Sequence, residues 1–362
     1  MNTCLIVARN LYATACLYRY EKILSGNYDI IYWDKDNVSE TCSAKNIYRY
    51  YYHQGRVLNL LSKISKIKGY LGFRKFARSL IRRNKYDKLI VLPTQTGILL
   101  IDLLTGKYAG RYIYDIRDYT AENNRFFYFL QRRLIEKSGL TSITSQGYKK
   151  FLPTSDFIVS HNIPLISESV IREYRRRRER EEEGLEKPIV ISCIGGIRFI
   201  EQFKKVISVF ANDERFDLRF IGIGSEQLQP YCKSNNFSNV SLIGRFTPED
   251  TVKYYLESDI IMNLYGNHTP LLDYALSNKL YYAATLGMPI LVCPDTYMEE
   301  VAVGNGFGFA VDLGNSAGAI KDALWEYYAS INWSLMYAKC DSFMREVLED
   351  EQTFYNSVIG FL

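Results

Sequence analysis

A lysine at the start of a predicted helix is the side chain of this sequence that is best placed to bind an anion. Ser277 is a typical N-cap residue, Gly287 is a typical C-terminal residue, and the helix between them carries Asn278 and Lys279 in its first turn. Unpaired backbone N–H groups and the positive end of the helix dipole favour a phosphate at such a position, and Lys279 adds a full charge. Tyr282 lies on nearly the same helical face. The alternative interpretation of Lys279 is a solvated surface lysine.

Two further basic residues follow a glycine pair in the same half of the chain. Arg198 and Lys204 come after Gly195 and Gly196. Arginine presents a planar fork of donors to phosphate oxygens, whereas lysine presents a point charge. Each residue alone is typical of ordinary surface charge, but together with Lys279 they are predicted to neutralise a diphosphate.

Predicted strands place these residues at one edge of a sheet. Apolar runs, each followed by a loop and a helical pattern, predict strands at 188–193, 217–221, 240–243, 260–264, 289–293 and 308–311. This alternation is typical of a parallel sheet with right-handed crossovers, in which ligands bind at the carboxyl ends of the strands. Gly222, Gly224 and Gly244 also stand near such ends, where a glycine lets a ligand approach the backbone.

The first half of the chain shows the same alternation. Strands are predicted at 3–8, 28–33, 88–92, 111–116, 140–144 and 157–160, with one helix from about residue 11 to residue 24 and another beginning near residue 121. Arg9 and Asn10 stand where the glycines of a dinucleotide-binding G-x-G-x-x-G would be, so we expect no dinucleotide at this end.

A second group of polar residues follows the strand at 111–116. Asp115, Arg117 and Asp118 lie at its carboxyl end, where they are placed for chemistry on a ligand. Asp118 is equally suited to cap the helix that begins near residue 121, which is a structural role.

Length and composition indicate two α/β domains. The chain has 362 residues, of which 47% are hydrophobic. We place the domains at 1–163 and 188–332, with a charged linker at 164–187 that is interpreted as solvated, and a C-terminal segment at 333–362. The seven cysteines form no C-x-x-C pair and the three histidines have no metal-ligand spacing, so no metal site is predicted. We see neither a membrane-spanning run nor a signal peptide, and expect a cytoplasmic protein.

Positive charge is concentrated in the first domain. Residues 1–160 carry 26 Lys and Arg against 12 Asp and Glu, and no acidic residue occurs between 41 and 86. Apolar and basic residues interleave at 56–85, where Gly69 and Gly72 predict a break into two helices. This segment either lies on an anionic membrane surface or packs its apolar face on the sheet with a solvated basic face. Nucleic acid is not expected, because no binding motif accompanies the charge.

The order of these motifs resembles the donor-binding half of GT-B glycosyltransferases, in particular the family-4 enzymes of bacterial capsular and surface polysaccharide assembly. In chain order the resemblance is carried by Gly195-Gly196 with Arg198, by Phe220-Ile221-Gly222-Ile223-Gly224-Ser225-Glu226, by Ile243-Gly244-Arg245-Phe246, by Ser277-Asn278-Lys279-Leu280-Tyr281 with Gly287-Met288-Pro289-Ile290, and by Thr296-Tyr297 with Glu300. It is weaker in the first domain, where it rests on the Tyr114-Asp115-Ile116-Arg117-Asp118 segment and on His161-Asn162.

This resemblance implies two Rossmann-like doubly wound domains that face each other across a cleft, with a C-terminal helix that crosses back to the first domain. A UDP- or GDP-sugar donor is expected on the second domain, with no other cofactor and no metal. The residues to which we assign donor binding are Gly195, Gly196, Lys204, Gly224, Gly244, Arg245, Ser277, Asn278, Leu280, Tyr282, Thr296 and Glu300. Catalytic roles are assigned to Asp118, Arg198 and Lys279.

The acceptor is expected on the basic first domain, with Asp115 and Arg117 as binding residues. The enzymes that the chain resembles imply a saccharide, linked to polyprenyl diphosphate at the cytoplasmic membrane face, and retention of the anomeric configuration. The basic segment is expected to hold the enzyme on the anionic inner-membrane surface. Asp118 is the candidate for positioning or deprotonating the acceptor, in place of the histidine that such enzymes often use.

One departure from the family pattern keeps other functions open. A glutamate of these enzymes grips the donor ribose from the helix position that Tyr282 occupies here, so Tyr282 is expected to stack or to donate a single hydrogen bond. A non-catalytic nucleotide-sugar-binding partner subunit is therefore one alternative. A GT-B nucleotide-sugar epimerase is another, although its cluster of paired acidic residues around a histidine is not visible in the sequence.

Overall fold

The chain forms two compact units, which are Met1–Asn162 with Glu349–Leu362 (unit 1) and Ile163–Leu348 (unit 2). The structure is a computed structural model, and it describes residues 2–14, 16–38, 40–53, 60–180 and 187–362. Parts of the predicted basic segment and of the predicted charged linker, residues 54–59 and 181–186, lie outside the described residues.

Unit 1 is built on a parallel sheet of seven described strands, in the order β3-β2-β1-β4-β5-β6-β7. The strands are β1 (Thr3–Val7), β2 (Tyr28–Asp34), β3 (Asn46–Tyr51), β4 (Lys88–Leu92), β5 (Tyr112–Ile116), β6 (Leu140–Ile143) and β7 (Phe157–Val159). The chain reverses its direction of progress across the sheet between β1 and β4, where Val7 pairs with both Tyr32 and Leu92. This reversal is the doubly wound topology that was predicted.

Six strands of this sheet were predicted, and β3 was missed. It lies at the edge of the sheet, and its residues are exposed or half-buried. An edge strand needs no apolar run, because one of its sides faces solvent rather than another strand.

Five helices follow strands of unit 1 in the described chain. They are α1 (Leu17–Leu24), α2 (Leu60–Asn84), α3 (Thr94–Leu99), α4 (Ile101–Leu104) and α5 (Arg125–Lys137). Helix α1 begins later than residue 11, because the carboxylate of Glu40 accepts hydrogen bonds from the backbone N–H groups of Leu11 and Tyr12 and holds them in a turn.

The predicted break at Gly69 and Gly72 was wrong, since α2 is one continuous helix. Both glycines face aromatic side chains of the sheet. A β-carbon at Gly69 would lie 2.7 Å from the Trp33 ring, and one at Gly72 would overlap the Tyr50 hydroxyl. The glycines therefore allow α2 to approach the sheet closely, and this packing outweighs the roughly 1 kcal/mol that each glycine costs a helix.

Unit 2 contains the six predicted strands as one parallel sheet in the order β10-β9-β8-β11-β12-β13. They are β8 (Ile189–Ile194), β9 (Phe216–Ile221), β10 (Val240–Ile243), β11 (Ile260–Asn263), β12 (Ile290–Val292) and β13 (Gly308–Ala310). The strand order reverses between β8 and β11, and buried apolar side chains of these two strands belong to the cores on both faces of the sheet.

The helices of unit 2 cover these two cores. They are α6 (Glu168–Arg180), α7 (Ile200–Phe210), α8 (Gln229–Ser234), α9 (Thr251–Leu256), α10 (Pro270–Asp273), α11 (Asn278–Leu286), α12 (Tyr297–Gly304) and α13 (Ala317–Ala329). A last helix, α14 (Trp333–Phe361), begins in unit 2, and its residues from Glu349 onward belong to unit 1.

The charged segment that was interpreted as a solvated linker is, where it is described, the helix α6 of unit 2. Tyr174 and Arg178 are buried on its inner face, and Arg178 forms an ion pair with Asp259. Arg175 donates hydrogen bonds to Asp341 at 2.7 and 3.0 Å. These contacts fix α6 to the rest of unit 2, which charge patterning alone did not reveal.

Candidate functional site

The carboxyl ends of β8 and β9 carry loops that approach each other closely. Gly195 N–H donates to Ile221 O at 2.8 Å, and Ile197 N–H donates to Ile223 O at 2.9 Å. Gly222 has a φ of +138°, and a β-carbon there would overlap the backbone carbonyl of Gly195. Glycine at 222 is therefore required by the approach of the two loops.

Gly195 and Gly196 lie under the two predicted cations of this edge. A β-carbon at Gly195 would lie 3.8 Å from Lys279 Nζ, and one at Gly196 would lie 3.3 Å from Arg198 Nε. The positive charge of Arg198 also acts on Lys279 and opposes its protonation. Arg198 and Lys279, which the sequence placed at one edge of the sheet, are thus close together in the structure. They lie beside β8 and β11, where the strand order reverses. We call Gly195, Gly196, Arg198, Tyr265 and Lys279 the Lys279 site.

Lys279 is buried although it carries a charge. It is only 5% exposed, its Nζ donates a hydrogen bond to the Tyr265 hydroxyl, and it lies 4.7 Å from the centre of the Tyr265 ring. Burial lowers the pKa of Lys279, but its interactions with Tyr265 and Cys193 outweigh burial and leave that pKa raised. Within the described chain no carboxylate pairs with Lys279. The site therefore holds a buried cation whose partner is neutral, an arrangement that favours an anionic ligand.

Arg198 differs from Lys279 in being exposed at the loop after β8. It forms no ion pair with any described residue. Its guanidinium is thus available to a ligand without displacing a protein partner.

The helix that carries Lys279 has the predicted ends. The Ser277 side chain accepts from Lys279 N–H at 3.3 Å, and Gly287 ends α11 with a φ of +78°. Asn278 is exposed in the first turn, whereas Leu280 is fully buried in the core. Leu280 therefore shapes the packing of the helix rather than offering a polar contact.

Tyr282 stacks on a neighbouring tyrosine. Its ring is parallel to that of Tyr255, with the ring centres 4.0 Å apart and an angle of 4° between the planes. Tyr255 is itself buried. Stacking was one of the two roles expected for Tyr282, and here the stacking partner is a residue of the same unit.

Lys204 and Arg245 have surroundings of different kinds. Lys204 forms an ion pair with Glu201 at 2.7 Å and lies 5.8 Å from the centre of the Tyr231 ring. This ion pair is largely exposed, and such pairs contribute only about 0.2–1 kcal/mol, so a ligand phosphate competes with it easily. Arg245 and Gly244 are exposed at the end of β10.

Thr296 and Gly224 have structural contacts. The Thr296 side chain caps α12 by accepting from Glu299 N–H at 3.2 Å, and its hydroxyl donates to Cys293 O at 2.8 Å. Gly224 has a φ of +99°, and a β-carbon there would overlap the carbonyl of Ile197. Glu300 is exposed in the first turn of α12.

In unit 1, Asp115 and Arg117 are partners of each other. Asp115 is fully buried and accepts two hydrogen bonds from Arg117, at 2.5 and 2.7 Å, and a third from the Tyr20 hydroxyl at 2.6 Å. Arg117 is 8% exposed and also donates to Ser160. Its pKa is raised, because the attraction of Asp115 outweighs the effect of burial. Two residues assigned to acceptor binding are thus engaged in a buried ion pair.

Asp118 lies on the exposed loop that follows β5. It does not cap the next helix: Asn124 caps α5, and its side chain accepts from Phe126 N–H at 3.0 Å and from Phe127 N–H at 3.1 Å. The loop is anchored through the carbonyl of Arg117, which accepts from the Tyr148 hydroxyl at 2.7 Å. Asp118 is therefore a solvent-facing carboxylate on a fixed support.

Sequence reasoning missed Tyr265, which is the partner of Lys279. Its ring also contacts Phe199 and Phe203, with ring centres 5.4 and 5.6 Å away. Tyr265 follows directly after a predicted strand, at the edge where ligands bind, so its position was the available signal. Within the described ranges, no group of three or more His, Cys, Asp or Glu side chains is arranged to hold a metal ion.

No family model matches the chain, and no curated protein sequence matches it either. The chain does match solved structures. Sucrose-phosphate synthase from Thermosynechococcus elongatus is 11% identical and superimposes with a TM-score of 0.66, with 98% of each chain covered. Anabaena HepE, solved in complex with UDP, is 13% identical with a TM-score of 0.66 over 99% of both chains. WaaG, a glycosyltransferase of lipopolysaccharide biosynthesis, is 9% identical with a TM-score of 0.62 over 99% of this chain and 98% of its own. At such identities the likeness establishes the fold, which is the GT-B fold.

Proposed function

We propose that the protein is a glycosyltransferase that moves a sugar from a nucleotide-sugar donor to a saccharide acceptor, and that the Lys279 site holds the donor diphosphate. The observation that carries this proposal is the buried Lys279, held by a neutral hydroxyl over a glycine loop with Arg198 beside it. A ligand that brings two negative charges next to Lys279 and Arg198 balances both cations at once.

The same charges explain how transfer is accelerated. Breaking the bond between the sugar and the diphosphate leaves negative charge on the leaving oxygen. Lys279 is held by Tyr265 before the reaction, Arg198 adds a second positive charge beside it, and the start of α11 adds its backbone N–H groups and dipole. Because these groups supply the positive charge, the proposal assigns no role to a metal ion.

We favour uracil as the base of the donor nucleotide. The support comes from Anabaena HepE, a protein with this fold that has been solved with UDP and with UDP-glucose. The proposed donor is therefore a UDP-sugar, with a GDP-sugar as the second candidate to test.

On the acceptor side, Asp118 is assigned to position or deprotonate the acceptor hydroxyl. Asp115 and Arg117 are assigned a supporting role, because their buried ion pair fixes the backbone from which Asp118 projects. We further propose that the acceptor is a lipid-linked saccharide of surface polysaccharide assembly and that transfer retains the anomeric configuration.

The membrane part of this proposal is supported by α2. Its residues Ile64, Ile67 and Leu71 are 43%, 58% and 59% exposed and recur at helical spacing. Lys66, Lys68 and Lys75 are exposed on the same helix. Exposed apolar residues flanked by lysines suit the surface of an anionic bilayer. None of the described helices has the length and apolar character of a transmembrane segment.

The donor assignment is tested by thermal unfolding with a panel of nucleotides and nucleotide sugars. A nucleotide present at a hundred times its Kd is expected to stabilise the folded protein by about 2.7 kcal/mol. Arg198→Gln is expected to weaken this binding at least tenfold, whereas Lys205→Gln, which changes an exposed lysine of α7, is expected to leave it unchanged. If no member of the panel raises Tm, the donor assignment is wrong.

The membrane assignment is tested by sedimentation with anionic liposomes at low salt. Ile67→Asp together with Leu71→Asp is expected to move the protein from the pellet to the supernatant. Leu335→Asp, at a residue of α14 that is 52% exposed, is the matched control and is expected to have no effect. Wild-type protein that remains in the supernatant would contradict the assignment.

A further inference from the structure

A second convergence of cations lies in unit 1, where the loops after β1 and β2 are joined side by side. Asn10 donates from its side-chain amide to Asp34 at 3.0 Å, and its amide oxygen accepts from Lys35 N–H at 3.1 Å. Residues next to these contacts, Arg9 in the first loop and Lys35 in the second, therefore lie at the same carboxyl edge of the sheet.

Lys35 extends over an aromatic surface. Its Nζ lies 4.5 Å from the centre of the Trp33 ring and 5.7 Å from that of Tyr70. Tyr70 belongs to α2, and Lys66 stands one turn before it on the same helix. Three separate elements thus bring Arg9, Lys35 and Lys66 together, and we call these three residues the Arg9 cluster.

The acidic residues of these loops are already paired with other groups. Asp34 accepts from Arg49 at 2.7 Å, Glu40 accepts from the N–H groups of Leu11 and Tyr12, and Asp36 accepts from the Tyr12 hydroxyl. None of the three cations of the Arg9 cluster forms an ion pair with a described residue.

Two observations show that this positive charge is not balanced. Arg9 Nε is buried and has no hydrogen-bond partner in the described chain. Burial, together with repulsion from Lys66 and Arg9, lowers the pKa of Lys35 to about 8, and Asp36 offsets this only in part. A buried donor without a partner costs about 1–3 kcal/mol of folding free energy. The presence of such a donor on Arg9, beside two lysines, points to an anionic ligand.

We propose that the Arg9 cluster binds a phosphate or diphosphate group of the acceptor substrate. This inference rests on the proposed function, because it assigns a chemical class to the acceptor of the same reaction. Arg9 supplies a fork of donors to phosphate oxygens, Lys35 supplies a point charge from its aromatic seat, and Lys66 adds charge from α2. Trp33 and Tyr70 lie against the Lys35 amine and support it on one side.

Two kinds of acceptor carry such a group. A water-soluble sugar phosphate presents a monoester, and a lipid-linked saccharide presents a diphosphate between sugar and lipid. The charge of the Arg9 cluster suits both, and titration with one compound of each kind separates them.

The test is isothermal titration of the full chain with inorganic diphosphate while UDP is present at saturation, so that the Lys279 site is occupied. Diphosphate is expected to bind, and Arg9→Gln and Lys35→Gln are each expected to weaken its binding at least tenfold. Lys35→Arg retains the charge and is expected to stay within threefold of the wild type. Lys45→Gln, which removes an exposed lysine just before β3 and outside the cluster, is expected to bind like the wild type.

Two further titrations identify the source of the phosphate. Tighter binding of farnesyl diphosphate than of inorganic diphosphate supports a lipid-linked acceptor, and tighter binding of glucose 6-phosphate supports a soluble one. Each result must again be sensitive to Lys35→Gln.

The inference is overturned if diphosphate does not bind in the presence of UDP, or if Arg9→Gln and Lys35→Gln bind it as tightly as the wild type does. UDP binding, titrated first and alone, reports on the proposed function separately. Thermal unfolding followed by circular dichroism shows whether each variant is folded, and Arg9→Gln decides the test if Lys35→Gln is not folded.

Discussion

Each unit places a lysine at the carboxyl edge of its parallel sheet, but the two lysines have opposite surroundings. Lys279 of unit 2 donates to the Tyr265 hydroxyl, and its pKa is raised. Lys35 of unit 1 lies over two aromatic rings, and its pKa is lowered to about 8. Both side chains are removed from water to a large extent, so burial alone does not distinguish them.

The difference lies in the neighbours. The Tyr265 oxygen stabilises the charged form of Lys279, whereas Arg9 and Lys66 are like charges that destabilise the charged form of Lys35. We infer that Lys279 is a constant charge before and after a ligand binds. An anionic ligand increases the protonated fraction of Lys35, because the ligand offsets the repulsion from its two cationic neighbours.

The backbones under the two lysines also differ. The loops of unit 2 approach each other through Gly222 and Gly195, and no side chain fits between them. The corresponding loops of unit 1 are joined by side chains, through Asn10 and Asp34. A small change of backbone is therefore expected to disturb the Lys279 site more than the Arg9 cluster.

The largest expected effect is that of Lys279→Met. Loss of a fixed charge at the leaving group is expected to reduce kcat/KM for sugar transfer at least a hundredfold, or about 3 kcal/mol. The stability of the folded protein should not fall, because methionine replaces a buried cation that has no anionic partner among the described residues. We expect Tm to be unchanged or higher. Steady-state kinetics and thermal unfolding of the same preparation measure both quantities.

The matched variant for this prediction is Lys35→Met. It is expected to leave UDP binding unchanged within a factor of two, because its effect is confined to the Arg9 cluster. If Lys279→Met and Lys35→Met weaken UDP equally, the two lysines do not have the separate roles assigned here.

The next effect is on stability and concerns the glycine contact. Gly222→Ala places a β-carbon on the carbonyl of Gly195 at a φ of +138° and is expected to cost about 3 kcal/mol of folding free energy. Because Gly195 lies under Lys279, UDP binding should weaken as well. Chemical denaturation gives the stability, and titration with UDP gives the affinity.

Gly244→Ala is the control for this substitution. No atom lies within 4 Å of a β-carbon at Gly244. The variant is expected to change stability by less than about 0.5 kcal/mol. Equal losses in the two variants would show that the approach of the β8 and β9 loops is not what requires glycine at 222.

The sequence predicted the elements of unit 2 better than their contacts. Apolar runs located its six strands, and Ser277 and Gly287 marked the ends of α11, because these signals are local. The partnership of Lys279 with Tyr265 joins residues 14 apart in the chain and depends on the fold. No local pattern encodes it.

In unit 1 the same limit produced the differences from expectation. Asp115 and Arg117 look like rim residues in the sequence, but Tyr20, far away in the chain, completes their buried ion pair. Gly69 and Gly72 look like helix breakers, but Trp33 and Tyr50 occupy the space that their side chains would need. Both cases depend on which residues of the sheet lie opposite, and this is set by tertiary packing.

The smallest expected effect tests the comparison of the two lysines directly. At pH 8 about half of the Lys35 amines are expected to be neutral, whereas an ordinary lysine with a pKa of about 10.4 is almost wholly charged. Only the neutral amine reacts with an acylating reagent. Lys35 is therefore expected to be acylated with a rate that levels off as pH rises through about 8, while Lys279 stays unmodified.

Peptide mass spectrometry after brief acylation between pH 6.5 and 9 measures these rates. Added inorganic diphosphate should slow the labelling of Lys35, because an anion beside Lys66 and Arg9 removes the repulsion that keeps its pKa low. Asp36 is the acidic neighbour that already acts in this direction, so Asp36→Asn is expected to speed the labelling slightly. Labelling of Lys279 at pH 8, or a labelling rate of Lys35 that still rises tenfold between pH 8 and 9, would remove the distinction between a constant charge and a ligand-dependent one.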